Sequence, residues 1–183
     1  MAKDISTTFE FLIDKKSFSF DKAFFVYNTD GEKVMYVDIP AFRLIKRLDF
    51  FADETKFEQL FSVVQDKILS VTSSEYTLFR NEKPLAKFRA DLADNLLKRK
   101  IQILYPSGDP LCALAEKSAV GGFLGDLSGA SFVFQSGDDI LGTFGASESL
   151  EGMYHLGLSS GPEQKLAKWV ALGAAIILFA RLV

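Results

Sequence analysis

The C-terminal segment "KLAKWVALGAAIILFARLV" (165–183) constrains the fold most, because it is apolar on every side. Its uncharged part, residues 169–180, would form a helix about 18 Å long, at about 1.5 Å per residue. The hydrocarbon core of a membrane is about 30 Å thick, so this run is short for a span. A helix that is hydrophobic all round lies either in lipid or at the centre of its own protein. The sequence therefore favours a helix enclosed by the rest of the chain, with a C-terminal membrane anchor as the alternative.

The rest of the chain repeats a hairpin unit of 24 to 29 residues. Turn centres fall near residues 30, 54, 81, 108 and 137, where Gly, Asn and Asp are frequent. These residue types supply the positive φ angles and local hydrogen bonds that tight turns need. Repeated hairpins indicate an up-and-down antiparallel barrel or a sheet-rich array. We therefore predict a mainly β protein, a closed antiparallel barrel wrapped around the hydrophobic C-terminal helix.

One segment, "KFEQLFSVVQDKIL" (56–69), has a pattern that conflicts with this repeat. Its apolar residues fit helical spacing, and taken alone they favour a helix. They are Phe57, Leu60, Phe61, Val64 and Ile68. The hairpin repeat requires a strand at the same place, and a strand is our prediction.

The start of the central helix is predicted from its capping residues. Ser160 and Glu163 have the spacing at which two side chains cap a helix start reciprocally, and Pro162 is tolerated in the first turn. We therefore expect the helix over residues 161–183, within a single domain that spans residues 1–183.

Composition bounds the class of protein. At 183 residues, with 48% hydrophobic and 25% charged residues, the chain is long enough to bury one core. The net charge of −3 argues against nucleic acid as a partner. A single cysteine, Cys112, cannot form an internal disulfide, and no apolar stretch of a secretory signal follows Lys3. We expect a cytoplasmic protein, at most peripheral at the inner membrane surface.

Residues that carry catalytic or metal chemistry are sparse. The only histidine, His155, lies in "GMYHLGL", which reads as a strand and follows no G-x-S-x-G motif. Cys112 lies in the alternating strand "PLCALAE" and is expected to be packed. The glycine-rich "GGFLGDLSG" (121–129) lacks the spacing of a dinucleotide loop, and the acidic turns lack that of a calcium loop. We expect no enzymatic activity, no metal and no cofactor.

Two stretches, "FFVYNTDGEKVMYV" (24–37) and "LDFFADETKFEQLFSVVQDKILSVTSSEYTLFRNEKPLAKFRAD" (48–91), resemble a known family. With "GDDILGTF" (137–144), "YHLGL" (154–158) and the closing helix, they resemble the tubby C-terminal-like superfamily, in its phospholipid scramblase and LURP-one-related branch. The resemblance covers about residues 9–183 and implies a twelve-stranded barrel around a hydrophobic helix. It also implies a relation to phosphoinositide-binding and lipid-scrambling proteins.

The chain departs from the scramblases in three respects. It lacks their proline-rich N-terminal tail and their cysteine cluster for lipidation. The link into the last helix, "GLSSGPEQK" (157–165), also lacks a string of acidic calcium ligands. Calcium-triggered scrambling is therefore not expected.

Basic residues next to apolar ones are the one candidate for a binding site. They occur in the three segments 15–16, 43–47 and 98–100, and "FRLIKRL" and "NLLKRKI" combine both residue types. Such a mixture suits an anionic membrane surface, where each Lys or Arg contributes about 1 kcal/mol. The alternative interpretation is solvated strand ends. The predicted headgroup-binding residues are Lys15, Lys16, Arg43, Lys46, Arg47, Lys98, Arg99 and Lys100.

The resemblance and the basic segments together predict a non-catalytic barrel that binds lipid or membrane surfaces, with anionic phospholipid or phosphoinositide as the partner. A cytosolic protein-interaction scaffold and a tail-anchored membrane protein are the two alternatives.

Overall fold

The computed structural model describes residues 9–17, 22–39, 47–68, 73–91, 99–117, 131–159 and 166–182. These residues form twelve strands and one helix. In chain order the strands are β1 Glu10–Ser17, β2 Lys22–Tyr27, β3 Lys33–Ile39, β4 Arg47–Phe51, β5 Gln59–Ile68, β6 Ser73–Arg80, β7 Lys83–Asp91, β8 Lys100–Leu104, β9 Pro110–Glu116, β10 Ser131–Ser136, β11 Asp139–Ala146 and β12 Met153–Leu158. The helix is α1, Lys168–Leu182.

The strands form a closed barrel in which each strand pairs with its neighbours in sequence. All pairs are antiparallel, and the barrel closes between β1 and β12, where Ile13 lies opposite Tyr154. The predicted fold class, a closed antiparallel barrel of about twelve strands around a hydrophobic C-terminal helix, is confirmed. Closure leaves no strand edge unpaired in this sheet, which removes the usual template for aggregation.

Side chains point alternately into the barrel and away from it along the regular parts of the strands, and the inward ones line its interior. In β8, for example, Ile101 and Ile103 are buried while Lys100 and Gln102 are exposed. Between Val170 and Phe179, helix α1 is buried on every side. Its apolar surface, which extends around the whole helix, is therefore packed inside the barrel on all sides. The wall comes close to the helix at Gly173. A Cβ atom added to this glycine would lie 3.1 Å from Leu78 Cδ1, so a larger residue would require the neighbouring side chains to shift.

The helix begins later than predicted. It starts at Lys168, where the carbonyl of Ala167 accepts hydrogen bonds from the N–H groups of Val170 and Ala171. Leu166 and Ala167 are not helical, so the prediction of a start near residue 161 is wrong; the proposed cap at 160–163 lies outside the described residues. Leu166 is buried in the apolar core although it precedes the helix, so packing against the wall begins before the helix does. No helix within the described ranges is long and apolar enough to cross a membrane.

The predicted turns are confirmed, and they all lie at one end of the barrel. The connections 28–32, 52–58, 81–82, 105–109 and 137–138 join the strands there. We call this the turn end; α1 also begins there. The opposite end, where β1, β3, β5, β7, β9 and β11 finish, is called the far end. Gly31, Gly108 and Gly137 have positive φ angles, as the turn interpretation requires.

The segment with helical spacing is a strand, as predicted. The register of β5 shifts twice, once against β4 near Phe50 and once against β6 between Gln65 and Lys67. Each shift inserts a residue into the strand and interrupts the simple alternation of inward and outward side chains. The resulting apolar spacing imitates that of a helix.

The enclosed helix predicts a sharp contrast between two substitutions. Replacing Ile176, which is fully buried, by Asp places a carboxylate in an apolar interior, and we expect a loss of several kcal/mol or no folded protein. Ala167→Asp adds the same group at an exposed position just before the helix, and we expect little change. Thermal denaturation followed by circular dichroism measures both. Equal melting temperatures would show that the helix is not a core element.

The turn between β6 and β7 predicts a stabilising substitution. Glu82 has a φ of 63°, which costs a residue with a side chain about 1 kcal/mol. Glycine adopts this conformation freely, and Asn-Gly is the preferred pair for such a turn. We expect Glu82→Gly to raise the melting temperature by about 2–4 °C. Glu82→Ala keeps the backbone cost and serves as the control that should not gain stability.

Candidate functional site

The described basic residues of the predicted site lie at the far end. Arg47 is the first residue of β4, Lys100 is the first residue of β8, and Arg99 precedes it. Lys15 and Lys16 occupy the last part of β1, opposite Phe24 and Ala23 of β2. All five positions therefore belong to the same rim. The other three predicted residues, Arg43, Lys46 and Lys98, lie outside the described residues.

The five positions fall on two sectors of this rim. β1 to β4 are consecutive in the barrel, whereas β7 and β8 lie about half-way round it. The topology brings the basic segments to one end without gathering them into one contact cluster. The site is better described as a basic rim than as a pocket.

Arg47 is partly neutralised within its own sheet. Its Nε donates to Asp49 Oδ1 at 2.7 Å, and Gln59 Nε2 donates to the same oxygen at 2.6 Å. The arginine side chain is 37% exposed, so water screens this pair. Among the described contacts, Arg47 uses only Nε, and its two terminal nitrogens have no partner.

Arg99 carries a buried donor that has no protein partner. Among the described residues, its Nη1 is the one buried side-chain nitrogen without a hydrogen-bond acceptor. The neighbouring carboxylate, Glu116, is itself buried and accepts a long hydrogen bond from the Arg99 backbone N–H at 3.4 Å. An unsatisfied buried donor costs about 1–3 kcal/mol. An anion at the far end would remove this cost by accepting from Nη1.

The turn end has the opposite charge. Its five connections, all of them described, contain eight carboxylates but a single basic residue, Lys56. The carboxylates are Asp30, Glu32, Asp53, Glu54, Glu58, Glu82, Asp109 and Asp138. Several have local structural roles: Asp53, for example, accepts hydrogen bonds from the Thr55 hydroxyl and from the Thr55 N–H, the latter at 2.9 Å, and these bonds lower the pKa of that carboxyl. The turn-end connections are therefore acidic, but the described far-end connection, residues 147–152, also carries two carboxylates, Glu148 and Glu151, so the far end holds acidic as well as basic residues.

The single histidine and the single cysteine of the chain both lie in strands of the barrel wall. His155 lies in β12 with Nε2 3.9 Å from Glu10 Oε2, too far for a hydrogen bond. No group of three or more His, Cys, Asp or Glu residues in the described part of the chain is placed to hold a metal ion. Cys112 is buried in β9, as predicted for a packed side chain.

A cleft on the outer wall was missed by the sequence analysis. It has a volume of about 510 Å³ and lies over β4, β5 and β6. Its lining includes Arg47, Gln59, Leu60, Ser62, Val64 and Phe79. The signal for this cleft is the presence of apolar residues, such as Val64 and Phe79, at strand positions that face outward. A strict analysis of inward and outward alternation along the strands would have shown it. A second cavity, of about 580 Å³, lies over β5 to β8 and contains the Arg89–Glu75 ion pair.

Comparison with known proteins adds no assignment: no family model and no curated protein matches the chain.

The buried thiol predicts a pH-dependent stability difference. Burial raises the pKa of Cys112 to about 12, from an ordinary value of 9.0. Between these values the unfolded thiol loses its proton while the folded thiol keeps it, so the free energy of unfolding falls as pH rises from about 9 towards 12. We expect Cys112→Ala to lose stability less steeply over this range in urea denaturation. Parallel curves for the two proteins would contradict the burial of this group.

Proposed function

We propose that this protein is a non-catalytic barrel module that binds membrane surfaces containing anionic phospholipid or phosphoinositide, with its far end towards the membrane. The observation that carries the proposal is the common position of Lys15, Lys16, Arg47, Arg99 and Lys100 on one rim. The acidic turn end would be repelled by the same surface. This repulsion favours an orientation with the turn end directed away from the membrane.

The attraction between these cations and anionic headgroups can account for binding only when several residues act together. At about 1 kcal/mol for each cation near the headgroups, the five residues with described positions together contribute at most about 5 kcal/mol. That corresponds to a dissociation constant of about 0.2 mM. Asp49 screens Arg47, so the real sum is smaller. Apolar neighbours in the sequence, such as Phe42 and Leu96, would have to add to it.

The resemblance to the tubby-like and scramblase-like proteins supports the same proposal. A barrel closed around a central apolar helix is the architecture that the resemblance implies. Membership of that family is itself part of the proposal.

The tail-anchored alternative is less favoured by the packing. Residues 170–179 of α1 are buried in the barrel, so an anchor would have to withdraw the helix from the core. The scaffold alternative has one specific feature in its favour, the outer-wall cleft.

The proposal predicts binding that depends on charge at one end of the barrel. Liposome flotation should recover the protein with vesicles that contain phosphatidylserine or phosphoinositide, and less with neutral phosphatidylcholine. The variant Lys16→Gln/Lys100→Gln removes two far-end charges, so we expect about a 30-fold weaker association, from about 2 kcal/mol.

The matched control makes the same change at the other end. Lys83→Gln/Lys87→Gln removes two exposed charges from the half of β7 nearest the turn end, and we expect unchanged flotation. High salt should weaken binding of the wild type. Failure of the wild type to bind either kind of vesicle would remove the proposal.

A further inference from the structure

Two side chains of opposite charge, Arg99 and Glu116, lie next to each other inside the far end of the barrel. They are on neighbouring strands, because the Glu116 N–H donates to the Arg99 carbonyl at 3.1 Å and extends the pairing of β8 with β9. Arg99 comes two residues before Ile101, and Glu116 comes two residues after Leu114. Both of these apolar side chains point into the barrel and are buried. Arg99 and Glu116 therefore face the interior as well, one layer closer to the opening at the far end.

Neither charge is fully bonded by the protein. Arg99 Nη1 is buried and has no acceptor. Glu116 is 8% exposed, and its one described hydrogen bond is the long contact from the Arg99 N–H to Oε2, at 3.4 Å. Within the described part of the chain, no ion pair joins the two side chains. Buried polar groups in folded proteins nearly all have partners, and the exceptions often lie in binding sites.

The pair selects a ligand that carries both charges. A guanidinium binds phosphate through a planar fork of N–H donors, and a carboxylate accepts hydrogen bonds from an ammonium. A simple anion would satisfy Arg99 but would be repelled by Glu116. The helix adds to the attraction for an ammonium, since α1 ends at Leu182 at the same end of the barrel and a helix C-terminus carries partial negative charge. A phosphate linked to a primary ammonium offers both charges within one headgroup.

We propose that Arg99 and Glu116 form a headgroup site for phospholipids that carry a primary ammonium, phosphatidylserine and phosphatidylethanolamine. Arg99 binds the phosphate, and Glu116 accepts hydrogen bonds from the ammonium. The inference rests on the proposed membrane binding at the far end and adds to it a choice between lipids of equal net charge. Phosphatidylglycerol and phosphoinositides have no ammonium for Glu116, and the quaternary ammonium of phosphatidylcholine has no N–H to donate.

Two pairs of vesicles test the ammonium at constant charge. The first pair contains equal mole fractions of phosphatidylserine or of phosphatidylglycerol in phosphatidylcholine. The second pair contains a fixed fraction of phosphatidylglycerol, with phosphatidylcholine or phosphatidylethanolamine as the remainder. In flotation of the full chain over a range of lipid concentrations, we expect about tenfold tighter binding to the vesicle of each pair that carries the ammonium. This is the effect of a charge-assisted hydrogen bond.

The variant Glu116→Gln keeps the shape of the side chain and removes its charge. We expect it to bind the two vesicles of each pair equally and to retain binding to phosphatidylglycerol. Its melting temperature should stay close to that of the wild type, because Glu116 makes only one long hydrogen bond. The matched control is Glu148→Gln, which removes the same charge from an exposed residue at the far end and should keep the preference of about tenfold.

The variant Arg99→Lys tests the phosphate contact. It keeps the positive charge but loses the planar fork of donors. We expect several-fold weaker binding to both vesicles of each pair, because every phospholipid carries the phosphate, while the preference for the ammonium remains. Unchanged binding of Arg99→Lys to all of the vesicles would contradict a role of the guanidinium beyond its charge.

The remaining outcomes separate this inference from the proposed membrane binding. Equal binding of the wild type to both vesicles of each pair would overturn the headgroup site and leave the membrane binding in place. A wild type that binds none of the vesicles would remove both. A Glu116→Gln variant that melts at a lower temperature but keeps the preference would show a structural role only. Micromolar binding of glycerophosphoethanolamine, measured by calorimetry without vesicles, would assign the site to a soluble compound instead of a lipid.

Discussion

The structure depends on a helix that needs apolar walls on every side. Between Val170 and Phe179 helix α1 is buried on every side, and in this protein a closed sheet surrounds it. Aromatic packing fills the space between them: Phe179 of the helix lies 5.1 Å from Phe24 and 4.3 Å from Tyr154, between ring centroids. The described interior is therefore occupied by the protein's own side chains. A barrel filled in this way has its binding chemistry at its two ends and on its outer wall, unlike barrels of similar strand number that enclose a ligand.

The acidic character of the turn-end connections follows from turn chemistry. Tight turns favour Asp, Asn and Gly, because these residues bond locally and tolerate positive φ angles. Asn28 shows this role directly, since its Oδ1 accepts a hydrogen bond from the Glu32 N–H at 2.8 Å. Such residues make these connections acidic without a ligand. At the far end, Arg47 has a structural partner in Asp49, whereas Arg99 Nη1 has none among the described residues.

Local sequence signals predicted the turns and the enclosed helix, because both arise from neighbouring residues: Asp30-Gly31 is sufficient for a turn, and residues 169–180 for an apolar helix. The bulges of β5 could not be predicted, since a register shift depends on the partner strand. The predicted start of α1 was wrong because the capping pattern contains no information about where the wall begins.

The common end of the basic segments was available in principle, by counting strands between them. For the cleft, strict alternation could have shown that Val64 and Phe79 face outward, but not that they share one cleft, because Phe79 comes to lie opposite Ser62 only through the pairing of β5 with β6.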